Sequence, residues 1–156
     1  MAVALLLASV LLVVYYVVDL PAPDEYSTIY LLDTNGRAVN YPEYLVAGVN
    51  STFTVYVNVE NHMGQTLNST VQVKVTASGN PSIPVDSTPT QTFSGQIQDG
   101  KAWQNEATVS LPTPGNYLVA FELWNINQNT TALQFSGNYC VLNVEVAADK
   151  TAAVVE

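Results

Sequence analysis

Residues 53–60 read FTVYVNVE, and this stretch decides the fold class. Its apolar side chains are Phe53, Val55, Val57 and Val59, and the side chains between them are Thr54, Tyr56, Asn58 and Glu60. Successive side chains of a β-strand point to opposite faces, so this alternation predicts a strand with one face in a core. The stretch contains no pattern of a catalytic site, which makes it scaffold.

The same alternation recurs along the chain after residue 26. It appears in TVQVKVTA (70–77), ATVSL (107–111), YLVAFELWN (117–125) and YCVLNVEV (139–146). The predicted inward-facing residues are Val71, Val73, Val75, Ala107, Val109, Leu111, Tyr117, Val119, Phe121, Leu123, Cys140, Leu142, Val144 and Val146. Strands with one apolar face suit two stacked antiparallel sheets. The sequence therefore predicts an all-β immunoglobulin-like sandwich over residues 26–147.

Turn signals separate these strands. DTNG at residues 33–36 and QDGK at residues 98–101 predict hairpin turns, because Asn-Gly and Asp-Gly accept positive φ angles. The Pro- and Ser-rich residues 78–90 predict a long crossing loop. Tyr117 follows LPTPGN, a context that favours a tyrosine corner, in which the hydroxyl bonds to the preceding backbone.

The amino-terminal residues differ sharply from the rest. Residues 2–18, AVALLLASVLLVVYYVV, carry no charge and would form a helix about 26 Å long. A cleaved signal peptide is disfavoured, since a basic region and an A-x-A-like cleavage site are both missing. Two readings remain open: a single transmembrane anchor with its amino end inside, and a pilin-like helix packed against sister helices in a filament core.

These boundaries give four segments. They are a hydrophobic helix (residues 1–18), a linker (19–25), the β-sandwich ectodomain (26–147) and a tail or last edge strand (148–156).

Composition restricts the function. Only 11% of the residues are charged, against roughly 25% in ordinary soluble domains, and the net charge is −9. An acidic surface repels phosphate backbones, so we expect no nucleic acid partner. Cys140 is the single cysteine, which excludes an intrachain disulfide and favours a buried, small apolar side chain.

Catalytic and metal-binding patterns are missing from the sequence. It contains no CxxC pair, Gly-rich phosphate loop or Ser–His–Asp spacing. His62 is the single histidine, and DTNG lacks the later acidic positions of a calcium loop. We therefore expect no enzyme, no metal and no cofactor.

Two kinds of surface site are predicted. Asn50, Asn68 and Asn129 begin N-glycosylation sequons, whose use would place the sandwich outside the cell. Trp103 and Trp124 are candidate contact aromatics. A subunit interface is the preferred interpretation of these rings, and a carbohydrate-binding face is the alternative.

One longer stretch, residues 29–64, resembles a known family. The matching residues are Tyr30, Leu31, Gly36, Arg37, Ala38, Asn40, Tyr41, Pro42, Leu45, Gly48, Asn61 and His62. They resemble the NYP/NHE-motif ectodomain of an archaeal membrane-protein family of unknown function, although Met63 replaces the usual acidic residue. The resemblance implies a β-sandwich directly after a transmembrane helix, and it implies no reaction. The overall layout is also similar to that of archaeal type IV pilins.

The sequence thus predicts a non-enzymatic archaeal cell-surface protein that works through protein–protein contacts. It would be a surface assembly component or an accessory subunit of a membrane complex, and the alternatives are a filament subunit and a carbohydrate-binding module. Residues 2–18 would contact membrane lipid or sister helices, and other subunits, including copies of the chain, would be its partners. Its location would be the cell membrane with the ectodomain outside, or an extracellular filament.

Overall fold

Eight β-strands make up the regular structure of the described residues, which are 24–77, 79, 81–126 and 131–148 in a computed structural model. The strands are β1 (Tyr26–Leu32), β2 (Tyr44–Val46), β3 (Thr52–His62), β4 (Leu67–Ala77), β5 (Gln91–Ile97), β6 (Lys101–Ser110), β7 (Gly115–Ile126) and β8 (Leu133–Ala147). The predicted helix of residues 1–18, nearly all of the linker and the tail after residue 148 lie outside the described residues. Within those residues, no helix is long and apolar enough to cross a membrane.

The strands form two sheets. One sheet has the order β1-β3-β6, and the other has the order β2-β8-β7-β4-β5. All neighbouring strands are antiparallel except β2, which runs parallel to β8. The predicted all-β, immunoglobulin-like sandwich is therefore confirmed for the described residues, with the short parallel β2 as an addition.

The core lies between the two sheets and uses the predicted side chains. Val59, Val73 and Phe121 have no exposed surface. Most of the other predicted inward-facing residues are also buried, while Val75, Tyr117 and Cys140 are partly buried against the same cluster. Burying apolar area of this kind is the main favourable contribution to folding.

The connections differ from the sequence prediction. The turns at residues 33–36 and 98–101 do reverse the chain, and the amide of Lys101 donates to the Gln98 carbonyl over 3.1 Å. Neither turn is a hairpin, because β1 and β2 belong to different sheets, as do β5 and β6. A turn sequence determines that the chain reverses direction. Which strand the next strand pairs with depends on how the apolar faces of the strands pack.

The long connection was also assigned the wrong role. Residues 78–90 join β4 to β5, which are neighbours in one sheet, so this connection does not cross between the sheets. The connection instead folds back over the sheet, so that Ile83 and Val85 lie on the outer face of β7. We call this segment the β4–β5 cover.

The predicted tyrosine corner is confirmed. The Tyr117 hydroxyl donates to the carbonyl of Thr113 over 3.1 Å, and it also lies 2.6 Å from the Thr113 hydroxyl. This contact fixes the start of β7, the strand that shares the candidate surface with β8.

Candidate interaction surface

The outer face of the five-stranded sheet is divided into a covered half and an open half. In the covered half, Ile83 and Val85 pack on Leu118 and Ala120 of β7. Ala120 has no exposed surface and Leu118 has 8%. The β4–β5 cover thus forms a second, smaller apolar cluster outside the main core.

A buried ion pair lies under the same cover. Lys74 Nζ is 2.9 Å from Glu122 Oε2, and these side chains are only 7% and 0% exposed. Buried charges need both a charged partner and hydrogen bonds, and this pair has both. Lys74 Nζ donates to the Val85 carbonyl over 2.8 Å, and the Val85 amide donates to Glu122 Oε1 over 2.5 Å. The pair therefore fastens the cover to the sheet.

Trp124 closes this polar cluster at its edge. Its indole Nε1 donates to Glu122 Oε2 over 3.2 Å, and Lys74 Nζ lies 5.2 Å from the centre of a Trp124 ring. Both oxygens of Glu122 and the ammonium of Lys74 thus have partners within the chain. The cluster is structural and offers no unpaired group to a substrate.

The open half lies beyond Trp124 and along β8 beside the covered half, and it is apolar. We call this surface the apolar strip; it consists of Ile126, Leu133, Phe135, Tyr139 and Val141. Its exposed fractions are 40% for Ile126, 39% for Leu133, 47% for Tyr139 and 39% for Val141. Contiguous exposed apolar side chains of this kind mark an interaction site more often than isolated ones do.

A bulge in β8 brings the aromatic side chains of the strip together. The register with β7 shifts between the pairs Glu122–Tyr139 and Trp124–Phe135, close to Gly137, whose φ is 88°. Extra residues in one strand re-aim its side chains. As a result the Phe135 ring lies 5.4 Å from that of Trp124 and 6.4 Å from that of Tyr139.

The strip ends at a cleft at the amino-terminal end of the sandwich. This cleft has a volume of about 400 Å³, and Tyr26, Met63, Ile126 and Phe135 are among the residues that line it. The apolar strip therefore reaches the end of the domain at which β1 begins.

The two tryptophans predicted from the sequence do not share a surface. Trp124 borders the apolar strip. Trp103 lies on β6, packs against the main core and is so close to Gly95 of β5 that an added Cβ there would lie 3.2 Å from its ring. Trp103 thus fills the side of the sandwich between β5 and β6.

The predicted sequons occupy different surroundings. Asn50 is exposed, in a turn whose backbone bonds to Val46. Asn68 is half-buried on β4, opposite Gln96 of β5. Asn129 lies outside the described residues, and glycosylation at all three remains a prediction.

The motif residues that carry the family resemblance have structural contacts. Asn40 has a φ of 59°, a left-handed conformation that asparagine accepts more readily than most residues. Asn61 is fully buried, and its amide donates to the carbonyls of Gln65 and Ile97 over 2.7 and 2.8 Å. These residues position loops, so they need no ligand to explain them.

Tyr41 of the same motif helps to seal the free edge of β1. Three alternate carbonyls of β1 point away from β3, and each accepts a hydrogen bond from a side chain. The bonds run from Asn138 Nδ2 to Ser27 O (2.9 Å), from Cys140 Sγ to Ile29 O (3.4 Å) and from Tyr41 Oη to Leu31 O (2.6 Å). Burial raises the pKa of the Cys140 thiol, which keeps it protonated and able to donate.

Tyr30 and His62 also have local partners. The hydrogen bond that Tyr30 donates to Glu60 raises the pKa of its hydroxyl. His62 stacks on Tyr26 with ring centres 4.7 Å apart, and its Nε2 lies 3.7 Å from Glu60 Oε2. In the described part of the chain, no group of three or more His, Cys, Asp and Glu side chains could hold a metal ion.

These observations define the class: an immunoglobulin-like sandwich with an open apolar strip on one sheet.

Solved structures agree on the fold. A crystal structure of a CARDB domain from Pyrococcus furiosus, in complex with di-metal ions, is 13% identical, covers 83% of this chain and 100% of that domain, and has a TM-score of 0.54. The solution structure of the same domain gives 12% identity, coverage of 81% and 98%, and a TM-score of 0.53. A β-glucosidase from Listeria innocua in complex with glucose gives 16% identity and a TM-score of 0.50, with coverage of 83% of this chain and 18% of that enzyme.

The family follows from the sequence. The model described as "Domain of unknown function (DUF1616)" matches residues 20–145, and the chain belongs to this family. No curated protein matches the chain. The expectation of a β-sandwich from a family of unknown function is thus confirmed.

Sequence reasoning missed both parts of the outer face. The alternation in residues 70–77 and 117–125 puts Lys74 and Glu122 on the polar sides of their strands, which is correct, but it gives no sign that a loop buries them. The apolar strip depends on the β8 bulge, and the Gly137 that marks the bulge is a weak signal by itself.

Proposed function

We propose that the chain is a non-enzymatic cell-surface protein whose β-sandwich acts through protein–protein contacts outside a membrane. The observation that carries this proposal is the apolar strip, which remains exposed while the chain covers the other half of the same sheet face with its own loop. A surface with apolar and aromatic side chains at its centre is typical of protein interfaces.

The chemistry of the described residues supports a role without catalysis. The buried charges Lys74 and Glu122 are paired with each other, and their polar atoms bond to Val85 and Trp124. Acid–base catalysis needs a titratable group that can reach a substrate. Among the described residues, the cleft at the amino-terminal end is lined by one carboxylate, that of Glu25, whereas acid–base hydrolysis by paired carboxylates needs two.

The membrane part of the proposal rests on residues 2–18, an uncharged stretch that suits a hydrocarbon core about 30 Å thick. The folded domain begins at Tyr26, so the linker is short. The end of the sandwich with the amino-terminal cleft would then face the membrane. The apolar strip would then run away from the membrane, starting at the end nearest to it. A membrane-bound partner could reach the strip at that end.

Cell fractionation tests the location. Source cells are sheared, released filaments are separated from washed membranes, and the chain is detected in both fractions by mass spectrometry. We expect it in the membranes, with release only by detergent. Recovery in the filaments would overturn the membrane anchor and support the pilin-like alternative.

Co-purification from detergent extracts tests the apolar strip. We expect the double variant Tyr139→Ser, Val141→Ser to lose the proteins that copurify with the wild-type chain. The matched control is Thr52→Ser, an exposed position on the other sheet, which should retain them. Retention of every copurifying protein by the strip variant would overturn this surface as the interface.

A carbohydrate-binding role has a direct test. If the aromatic row of Trp124, Phe135 and Tyr139 binds sugars, a glycan array should give signals that Trp124→Ala abolishes. We expect no signal from the wild-type chain or from Trp124→Ala.

A further inference from the structure

The free edge of β6 is an unsealed row of backbone groups. β6 pairs with β3 in one continuous register, from Thr52–Ser110 to Asn61–Lys101. The amide of Leu111 donates to Ser51 O over 2.7 Å. Because alternate residues of an antiparallel strand bond to the partner, this bond shows that the odd-numbered residues of β6 bond to β3. The N–H and C=O groups of Ala102, Gln104 and Glu106 therefore point away from the sheet.

The other edge strands of the described sheets are shorter than β6, and one of them is capped. Side chains cap three alternate carbonyls of β1. β2 has only three residues, and β5 has seven, with Trp103 packed on its Gly95. Proteins usually protect edges by shortness, capping, bulges, proline or charge. β6 has ten residues, no proline and no register shift, and its charged residues are Lys101 at its start and Glu106.

One end of the β6 edge is nevertheless closed. The Gln91 side-chain amide donates to the carbonyl of Thr108. At the other end, a cleft of about 410 Å³ lies beside β6, with Gln96, Ala102 and Trp103 among its lining residues. The accessible part of the edge is thus limited to Ala102, Gln104 and Glu106.

We infer that this edge pairs antiparallel with the β6 edge of a second copy, about a two-fold axis at Gln104. In this register Gln104 faces its own counterpart, and Ala102 faces the partner's Glu106. About six backbone hydrogen bonds form, from the three uncapped residues of each copy. The two sheets join into one sheet of six strands.

Charge and capping select this register. An axis at Glu106 would place two carboxylates opposite each other, which is unfavourable, and would need the Thr108 carbonyl that Gln91 already occupies. An axis at Gln104 keeps the two Glu106 side chains about 14 Å apart along the strands. The β6 edge is therefore self-complementary, and a second copy of the chain fits it, since an isologous contact uses the same patch on both copies.

Disulfide trapping in the full chain tests both the contact and its register. The background is Cys140→Ser, which removes the native thiol and retains a donor for Ile29 O. Gln104→Cys places two thiols opposite each other across the axis, within reach of a disulfide, whereas Glu106→Cys places them too far apart. Under mild oxidation we expect linked dimers from Gln104→Cys and at least about tenfold less from Glu106→Cys. Equal linking by both, or no linking by either, would overturn the inference.

Backbone variants separate edge pairing from association through residues 2–18. Gln104→Pro removes an N–H at the free edge, while Gln104→Ala retains it, and both lose the bond from Gln104 to Asn58 Oδ1. Sedimentation of the detergent-solubilised chain should give dimers for wild type and Gln104→Ala. For Gln104→Pro the dissociation constant should rise at least about tenfold. The same dissociation constant for both variants would overturn the pairing, and far-ultraviolet circular dichroism checks that Gln104→Pro is folded.

Discussion

In the middle of β7, residues 118–123, both faces of the strand are buried, but by different means. On the inner face, Val119, Phe121 and Leu123 have no exposed surface and pack in the core between the sheets. On the outer face, Glu122 has no exposed surface either, but the β4–β5 cover buries it together with its partner Lys74. The inner face depends on shape and apolar area, whereas the outer face depends on charge pairing and on a loop.

This difference separates the sheet's stability from its proposed interaction surface. The inner face supplies the general hydrophobic stabilisation that any sandwich needs. On the outer face, the ion pair fixes where the cover ends and so where the apolar strip begins. The polar cluster thus determines how much of the sheet face remains available to a partner.

The largest expected effect comes from breaking the ion pair. Lys74→Met leaves the Glu122 carboxylate buried without its cation, which should lower the free energy of unfolding by about 3–5 kcal/mol. Urea unfolding followed by tryptophan fluorescence measures this change. Lys101→Met is the matched control, because Lys101 is exposed at the start of β6 and should change stability by less than about 0.5 kcal/mol. Equal effects of the two substitutions would contradict the structural role of Lys74.

A smaller loss is expected when both charges are removed. The variant Lys74→Met, Glu122→Leu leaves no unpaired charge, but the Val85 amide and carbonyl lose their partners. We expect a loss of about 2 kcal/mol, below that of Lys74→Met alone. A double variant less stable than the single one would show that the two residues do not act as a pair.

The sequence predicted the inner face because period-two alternation follows directly from strand geometry. Phe53, Val73 and Phe121 were placed correctly without any knowledge of strand order. The outer face could not be predicted in the same way. The Lys74–Glu122 contact requires β4 to lie beside β7 and the cover to fold back, and both depend on pairing between distant segments.

The cover and the core can be compared with a matched pair of substitutions. Val85→Ala in the cover and Val73→Ala in the core each remove two methyl groups from a buried valine. We expect a loss of about 1.5 kcal/mol at Val85. The loss at Val73 should be larger, because two packed sheets relax less than a loop does and so leave a larger cavity. Differential scanning calorimetry compares the two variants, and a larger effect at Val85 would reverse this ranking.

The smallest expected effect concerns a carboxylate that obtains its partners locally. Asp33 Oδ1 accepts hydrogen bonds from the backbone N–H groups of Asn35 and Arg37, each over 2.9 Å. These bonds hold the pKa of Asp33 below its usual value, and the bond from the Arg37 amide contributes most. A turn sequence such as DTNG indicates these contacts, which explains why this turn was predictable whereas the partners of Glu122 were not.

The sign of the pH effect follows from that lowered pKa. A carboxylate with a depressed pKa in the folded state contributes stability at pH values above its unfolded pKa, near 4. The contribution is lost as the pH falls through the folded pKa. Asp33→Asn retains an acceptor oxygen but not the charge, so it should reduce stability at pH 7 and have less effect at pH 2.5. Urea unfolding at both pH values measures this difference, with the exposed Asp86→Asn as the control. An equal loss at both pH values would mean that the geometry of the turn, and not the charge of Asp33, sets its contribution.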